Sequence, residues 1–190
     1  MQFLPKIFDP LSRAMEKEDH FPDRNSLAEY LDAILPTVSA WGEDLTEEDF
    51  YVGAAWLELR DQDNFNDVIL HFFNEKGEYL RVINGDVKKG SWRLVNDGSN
   101  RFILDFNKNS ELYVLAYLDP PFFILRKHGD QGKGQAKYWV MGSEGAISGL
   151  EWREYAQLLY GSHQEESSSM MYAAIIVIVI IAVLVLFSVI

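Results

Sequence analysis

The chain has 190 residues, with 29 acidic side chains against 17 lysines and arginines, and it contains no cysteine. Without cysteine there can be no disulfide, no thiolate metal site and no thiol nucleophile. The net charge of -12 argues against nucleic acid as a partner, because binding phosphates requires clustered basic side chains. The length suits one domain of ordinary size.

Residues 1–49 form an acidic segment in which helices are predicted. Asp9 and Pro10 favour a short helix over about 10–18, and Ser26 with Glu29 forms a capping box for a second helix that we expect to end at Pro36. A third helix could begin near Thr46. The acidic side chains are interpreted as solvated helix faces, with a patch for a basic partner as the alternative.

From about residue 54 the sequence changes to short aromatic and β-branched runs divided by Gly, Asn and Asp, which predicts an antiparallel meander. Two of the runs, residues 112–118 and 122–126, are apolar on both faces. We therefore expect each to be covered on both faces: on one by a barrel or sheet interior, and on the other by helices or a partner protein. The predicted strands cover residues 54–60, 67–73, 78–84, 88–95, 101–107, 110–118, 122–127 and 137–141.

After the last predicted strand, Ser148 and Glu151 form a second capping box and Gly161 is a helix stop signal. This pattern predicts an amphipathic helix over 149–160. The predicted fold class is therefore α+β: an antiparallel meander or barrel of about eight strands with flanking helices, plus one C-terminal transmembrane helix. The predicted divisions are an acidic segment, a β domain, the amphipathic helix, a polar linker and an anchor, at residues 1–49, 50–142, 143–161, 162–169 and 170–190.

Residues 170–190 carry no charge, and as a helix they would span about 31 Å, the thickness of a bilayer core. Since no export signal is evident near residue 1, we expect a tail-anchored, single-pass membrane protein with a cytoplasmic N-terminal domain, in the inner or plasma membrane if the protein is bacterial. Small side chains on one side of this helix could permit helix contact, although plain lipid exposure is the simpler interpretation. The anchor residues include Met170, Tyr172, Ala174, Ile178, Ala182, Phe187 and Ile190.

The middle of the chain carries a Gly-x-Trp pair followed by an apolar strand, a Phe-x-x-x-Gly hairpin, and a Tyr-containing strand followed by an apolar one. In this pattern the chain resembles the bacterial lipocalin-like (calycin-type) domain families. The resemblance implies a small antiparallel barrel or half-barrel, usually attached to the outside of cells, and it brings no catalytic residues. The residues that carry it are Trp56, Phe73 with Gly77, Gly90 with Trp92, Tyr113, and the run 122–125.

No grouping in the sequence indicates a reaction or a cofactor. The four histidines are scattered without metal-ligand spacing. The stretch 61–67 lacks the glycine of a calcium loop and is interpreted as a polar hairpin loop, and 128–137 lacks the Ser or Thr of a phosphate-binding loop. We therefore predict a protein that is not an enzyme and holds no metal or cofactor.

Two functions remain, with a membrane-tethered enzyme as a less favoured third. The first is a binding or assembly module in a membrane-associated complex, with the bilayer and protein partners as its contacts. The second is a membrane-tethered carrier of a small apolar ligand in a lipocalin-like cavity. Its candidate ligand-binding residues, of a kind that more often simply fills a core, are Trp92, Tyr113, Tyr117, Phe122 and Trp139.

Overall fold

A computed structural model describes residues 24–62, 67–95, 98, 100–129 and 136–162, which contain a closed barrel of eight antiparallel strands. Each strand pairs with the next in the chain, and the eighth pairs with the first. The barrel confirms the predicted fold of the β region, and every predicted strand bound lies within two residues of the observed one. The strands are β1 Ala55–Leu59, β2 Ile69–Phe73, β3 Glu78–Ile83, β4 Asp86–Leu94, β5 Arg101–Phe106, β6 Asn109–Asp119, β7 Phe122–Lys127 and β8 Tyr138–Ser143.

Two-residue turns set the register of the meander. In the turn between β3 and β4, Asn84 and Gly85 both have positive φ, at 48° and 91°, and between β5 and β6 Asn107 and Lys108 have φ of 52° and 66°. Positive φ at both central residues gives the twist that joins adjacent antiparallel strands. Asn84 also accepts a hydrogen bond from the backbone N–H of Val68 at 3.0 Å, which fixes the beginning of β2.

Helix α1, Leu27–Val38, begins as predicted, with the Ser26 hydroxyl accepting a hydrogen bond from the Glu29 backbone N–H. The prediction that it ends at Pro36 is wrong. Proline lacks only its own N–H, and in the last turn this removes a single hydrogen bond. The Thr37 hydroxyl donates to the Ile34 carbonyl at 2.7 Å and the Ser39 N–H to the Leu35 carbonyl, so the helix continues through Pro36 to Val38.

The single helix predicted over 149–160 is wrong in its bounds. A short helix, α2, covers Glu144–Ile147, and a second, α3, covers residues 152–162. Ser148 ends α2 by donating its N–H to the Glu144 carbonyl, and Gly149 then has φ of 83°, which reverses the chain. Glu151 precedes α3 and donates its N–H to the Glu154 carboxylate, so the capping pair starts three residues later than predicted. Gly161 lies within α3 rather than stopping it.

Other predicted elements are shorter than expected or lie outside the described residues. The helix predicted near Thr46 is one 3-10 turn, Glu48–Phe50. The helix over 10–18, most of the linker 162–169 and the anchor 170–190 lie outside the described residues. Within the described part of the chain, no helix combines the length and apolar character needed to span a membrane.

The described residues pack in two apolar layers, one inside the barrel and one between the barrel and its helices. The prediction that β6 and β7 are covered on both faces is confirmed: Leu118, Phe123 and Leu125 point into the barrel, and Phe122 and Ile124 point outward beneath α1 and α3. The helices supply Leu27, Tyr30, Leu31, Ile34, Leu35, Val38, Tyr155, Ala156 and Leu159 to this outer layer.

One end of the barrel is closed by the segment that precedes β1. Tyr51 of this segment is 1% exposed, and its hydroxyl donates to the Leu45 carbonyl at 3.0 Å. Its ring lies 5.6 Å from that of Trp92 and 5.4 Å from that of Phe123, while the Trp56 indole N–H donates to the Tyr51 carbonyl at 2.9 Å. The barrel is therefore filled with aromatic side chains at this end.

Candidate functional site

The opposite end of the barrel borders a cavity of about 520 Å³, lined by inward-facing residues of seven strands and also by outward-facing residues of β1 and β8 and the beginning of α1. Cavities of this size hold small organic molecules. Strands β1 and β7 end, and strands β2 and β8 begin, at this end of the barrel. We call this cavity, lined among others by Glu58, His71, Arg81, Tyr113 and Trp139, the mouth cavity.

The floor of the mouth cavity is aromatic. The rings of Tyr113 and Trp139 lie 5.1 Å apart, and the ring of His71 lies 4.8 Å from Trp139 in an edge-to-face arrangement. Phe106 and Leu104 add apolar surface on the β5 side. This floor separates the cavity from the filled half of the barrel and offers a flat apolar molecule a surface on which to lie.

The wall above the floor is charged. Successive side chains of a strand point to opposite faces, so the residues two positions beyond Trp56, Tyr79 and Leu125 also point inward. At the mouth these inward positions are polar or ionic, whereas toward the closed end they are apolar. The wall residues are Glu58 on β1, His71 on β2, Arg81 on β3, Glu111 on β6 and Lys127 on β7.

On one side of the wall, His71 lies between two partners. Its Nε2 is 2.8 Å from Glu58 Oε2, and its Nδ1 is 2.6 Å from the Tyr79 hydroxyl. The arrangement fits a neutral imidazole whose Nε2–H donates to Glu58 while the Tyr79 hydroxyl donates to Nδ1. Burial lowers the pKa of His71 and thereby favours this neutral form, and the nearby positive charges of Arg81 and Arg60 act in the same direction.

Burial alone would raise the pKa of Glu58, but the hydrogen bonds from His71 and Arg60, together with the Arg60 charge, hold it below its usual value. A second carboxylate group stands across the cavity on β6. Glu111 accepts hydrogen bonds from the Lys127 ammonium at 2.6 Å and the Tyr113 hydroxyl at 2.5 Å. Burial acts to raise the pKa of Glu111 as well, and its two donors together with the Lys127 charge hold it low. Both carboxylates are therefore charged and partnered at neutral pH.

Arg81 differs from the other charged wall residues. Its Nε is buried and has no hydrogen-bond partner among the described residues. Its guanidinium carbon lies 5.1 Å from the centre of the Phe106 ring, so the group rests on an aromatic surface rather than on a carboxylate. An unpaired buried donor lowers the free energy of unfolding, so the unpaired Nε of Arg81 requires an explanation.

The Tyr79 hydroxyl is held within the hydrogen-bonded network of the site. The Tyr79 hydroxyl, which donates to His71, belongs to a side chain that is 1% exposed, and burial raises its pKa far above the ordinary value. Tyr79 is among the residues that line the mouth cavity. Within the described residues, no three His, Asp or Glu side chains come together as a metal site would require.

The structure separates the five aromatic residues that the sequence suggested for a ligand site. Tyr113 and Trp139 line the mouth cavity. Trp92 lies deeper, near the closed end, where its indole N–H donates to the Asn74 carbonyl at 3.1 Å. Tyr117 and Phe122 are outside the barrel beneath the helices. A β-bulge between Leu115 and Tyr117 explains the position of Tyr117, because the extra residue reverses the alternation of β6.

Sequence reasoning missed the charged wall, although a signal was available. In the predicted strands, Glu58 alternates with Trp56, and His71 with Phe73, so each polar residue shares a face with an aromatic that belongs to the core. A charged residue on the core face of a strand indicates either a barrel end or a site. The chain matches no protein family, no curated protein and no solved structure in comparisons with each.

Proposed function

We propose that this protein is a non-catalytic binding module that takes a small molecule into the mouth cavity of its barrel and is tethered to a membrane by residues 170–190. The observation that carries the proposal is the contrast between the two barrel ends. Tyr51 and its neighbours close one end, whereas the other keeps a cavity of about 520 Å³ with an aromatic floor and hydrogen-bonded charged groups. A barrel that served only as a scaffold would not need ionic side chains on its inner face.

The outer layer weakens the argument for a protein partner on β6 and β7. Their second apolar face suggested a missing cover, and α1 and α3 of the same chain provide it. A ligand in the mouth cavity also differs from the wholly apolar molecule that the sequence suggested, because the wall offers both charges and hydrogen-bond donors.

The tether is inferred from composition: residues 170–190 are uncharged and almost entirely apolar. Membranes washed at alkaline pH should retain the full chain, whereas a variant with two lysines, at Ile178 and Val179, should be released. Retention of that variant, or release of the unaltered chain, would contradict the tether without affecting the ligand proposal.

Ligand binding is tested by native mass spectrometry of the full chain released from detergent micelles. The unaltered protein should carry a small molecule of constant mass. Asn109 lines the mouth cavity, so Asn109→Trp should fill part of it and lose that mass, while Ser110→Trp, on the next and outward-facing position, should keep it. A bare protein in all three preparations, or equal loading of both variants, counts against the proposal.

A second candidate, an assembly subunit, is favoured by one further surface. The outer face of β2 to β4 carries apolar side chains that belong to neither core layer, and the adjoining Val68 and Val87 are 52% and 54% exposed. Detergent-solubilised protein that runs alone and monomeric would exclude this candidate. The half-buried members of the face are Leu70, Phe72, Leu80 and Val82.

A further inference from the structure

We propose that Arg81 anchors the anionic group of the ligand, and that the ligand is an organic carboxylate whose flat apolar part lies against Tyr113 and Trp139. This inference rests on the proposed function, because it names the class of molecule that the mouth cavity takes. The observation that supports it is that the buried Arg81 Nε has no hydrogen-bond partner among the described residues.

The other charged groups around the cavity already have partners, so a bound anion would pair with Arg81. Glu58 pairs with Arg60 at 2.5 Å, Glu111 pairs with Lys127 at 2.6 Å, and neutral His71 adds no charge. Lys137, at the rim, binds Asp32 of α1 at 2.5 Å. Asp61, also at the rim, accepts the Leu27 backbone N–H at the beginning of α1. Within the described part of the chain, Arg81 is thus a wall cation with no ion-pair partner.

The geometry around Arg81 suits a planar oxoanion. A guanidinium presents its N–H groups in a fork that matches a carboxylate, and such charge-assisted hydrogen bonds are stronger than neutral ones. The Arg81 guanidinium carbon lies over the Phe106 ring, which accepts no N–H hydrogen bond from Nε, so the Nε–H still lacks an acceptor among the described residues. The low dielectric of a partly buried wall strengthens the attraction further.

The rest of the cavity limits what the anion can be attached to. Both wall carboxylates repel a second negative charge, which disfavours a multiply charged ligand such as a nucleotide phosphate. Tyr113 and Trp139 contact each other at 5.1 Å and present an aromatic surface of the kind on which rings stack. A monoanion with an apolar ring or chain satisfies both conditions.

The test compares two probes of one shape, 2-naphthoate and 2-naphthamide, titrated calorimetrically into the full-length protein in lipid nanodiscs, with empty nanodiscs as the blank. The unaltered protein should bind the carboxylate at least about tenfold more tightly than the amide, since one charged hydrogen bond accounts for a factor of that order. Arg81→Gln should weaken naphthoate binding by about ten- to hundredfold and leave naphthamide unchanged. Arg93→Gln is the matched control, because Arg93 points outward from β4 with a side chain that is 61% exposed.

A second measurement does not depend on any variant folding. In ¹⁵N spectra of the unaltered protein, the Arg81 Nε–H signal should shift with naphthoate and stay in place with naphthamide. Equal affinity for the two probes, or an equal loss of both in Arg81→Gln, would overturn the assignment of Arg81 while leaving the proposed binding function standing. If neither probe binds and no molecule co-purifies, both proposals fall.

Discussion

His71 Nε2 lies 2.8 Å from Glu58 Oε2, on the neighbouring strand, and joins a carboxylate at the cavity wall to the buried hydroxyl of Tyr79. The side chain of His71 is 1% exposed and that of Glu58 is 9% exposed. The pair therefore holds a histidine in its neutral form where water has little access, and this has a consequence for stability that can be measured.

Stability should fall on acidification because of His71. Burial places its pKa in the folded chain below the ordinary value of 6.5, so the unfolded chain takes up a proton at higher pH than the folded chain does. Above pH 6.5 the contribution of this group is complete, and as the pH falls below 6.5 it is lost, by at most about 1.4 kcal/mol per pH unit. Urea unfolding at pH 7.5 and at pH 5.5, followed by tryptophan fluorescence, measures the difference.

The control for this pH dependence is a histidine outside the barrel. His71→Gln should flatten the pH dependence between these two values, and His128→Gln should leave it unchanged because His128 is exposed. An unaltered slope in His71→Gln would show that another group is responsible.

Removal of the Arg81 charge should stabilise the protein in the absence of ligand. An unpaired guanidinium Nε in a buried position opposes folding, and Met has a similar length and no donor to satisfy. We expect Arg81→Met to raise the free energy of unfolding by about 1 kcal/mol. Denaturant unfolding of Arg81→Met and of Arg93→Met measures this; a loss of stability confined to Arg81→Met would show that Arg81 has a structural role.

Two glycines near the end of β8 should respond in opposite ways to alanine. A Cβ on Gly142 would lie 2.7 Å from the Ile147 side chain, so Gly142→Ala should push α2 from the barrel and cost about 1–3 kcal/mol. Gly145, inside α2, faces open space, and Gly145→Ala should be neutral or stabilising by up to about 1 kcal/mol. Thermal unfolding of the two variants checks the pair, and equal effects would contradict the packing of α2 on β8.

The strands were predictable because their ends carry turn residues whose chemistry is local. Asn84-Gly85 and Asn107-Lys108 adopt positive φ, and each turn forces the next strand to be antiparallel. Closure of the barrel depends instead on β1 pairing with β8, where Trp56 faces Ser143, and no neighbouring residue in the sequence signals such a contact. The β-bulge before Tyr117 likewise has no glycine or proline to mark it.

The candidate site was not predicted from the sequence for a related reason. Its wall takes one residue from each of several strands, from Glu58 to Lys127, so no two of its charged members stand at a spacing that a motif search would notice. Only the strand alternation combined with the closed topology brings them together. The helix prediction failed for a different reason: Gly149 adopts a positive φ after Ser148, and α3 begins after Glu151, whose N–H donates to the Glu154 carboxylate although glutamate is not a usual capping residue.

The central claim is that a small molecule occupies the mouth cavity, and the tryptophan indole N–H signals test it most directly. Trp139 lies on the cavity floor, whereas the Trp56 and Trp92 indoles donate to carbonyls near the closed end and Trp152 lies on α3. In ¹⁵N spectra of the full chain, adding the molecule that co-purifies with it, or 2-naphthoate, should shift the Trp139 signal and leave those of Trp56, Trp92 and Trp152 in place. A shift confined to Trp152, or no shift at Trp139 at saturation, would contradict binding in the mouth of the barrel.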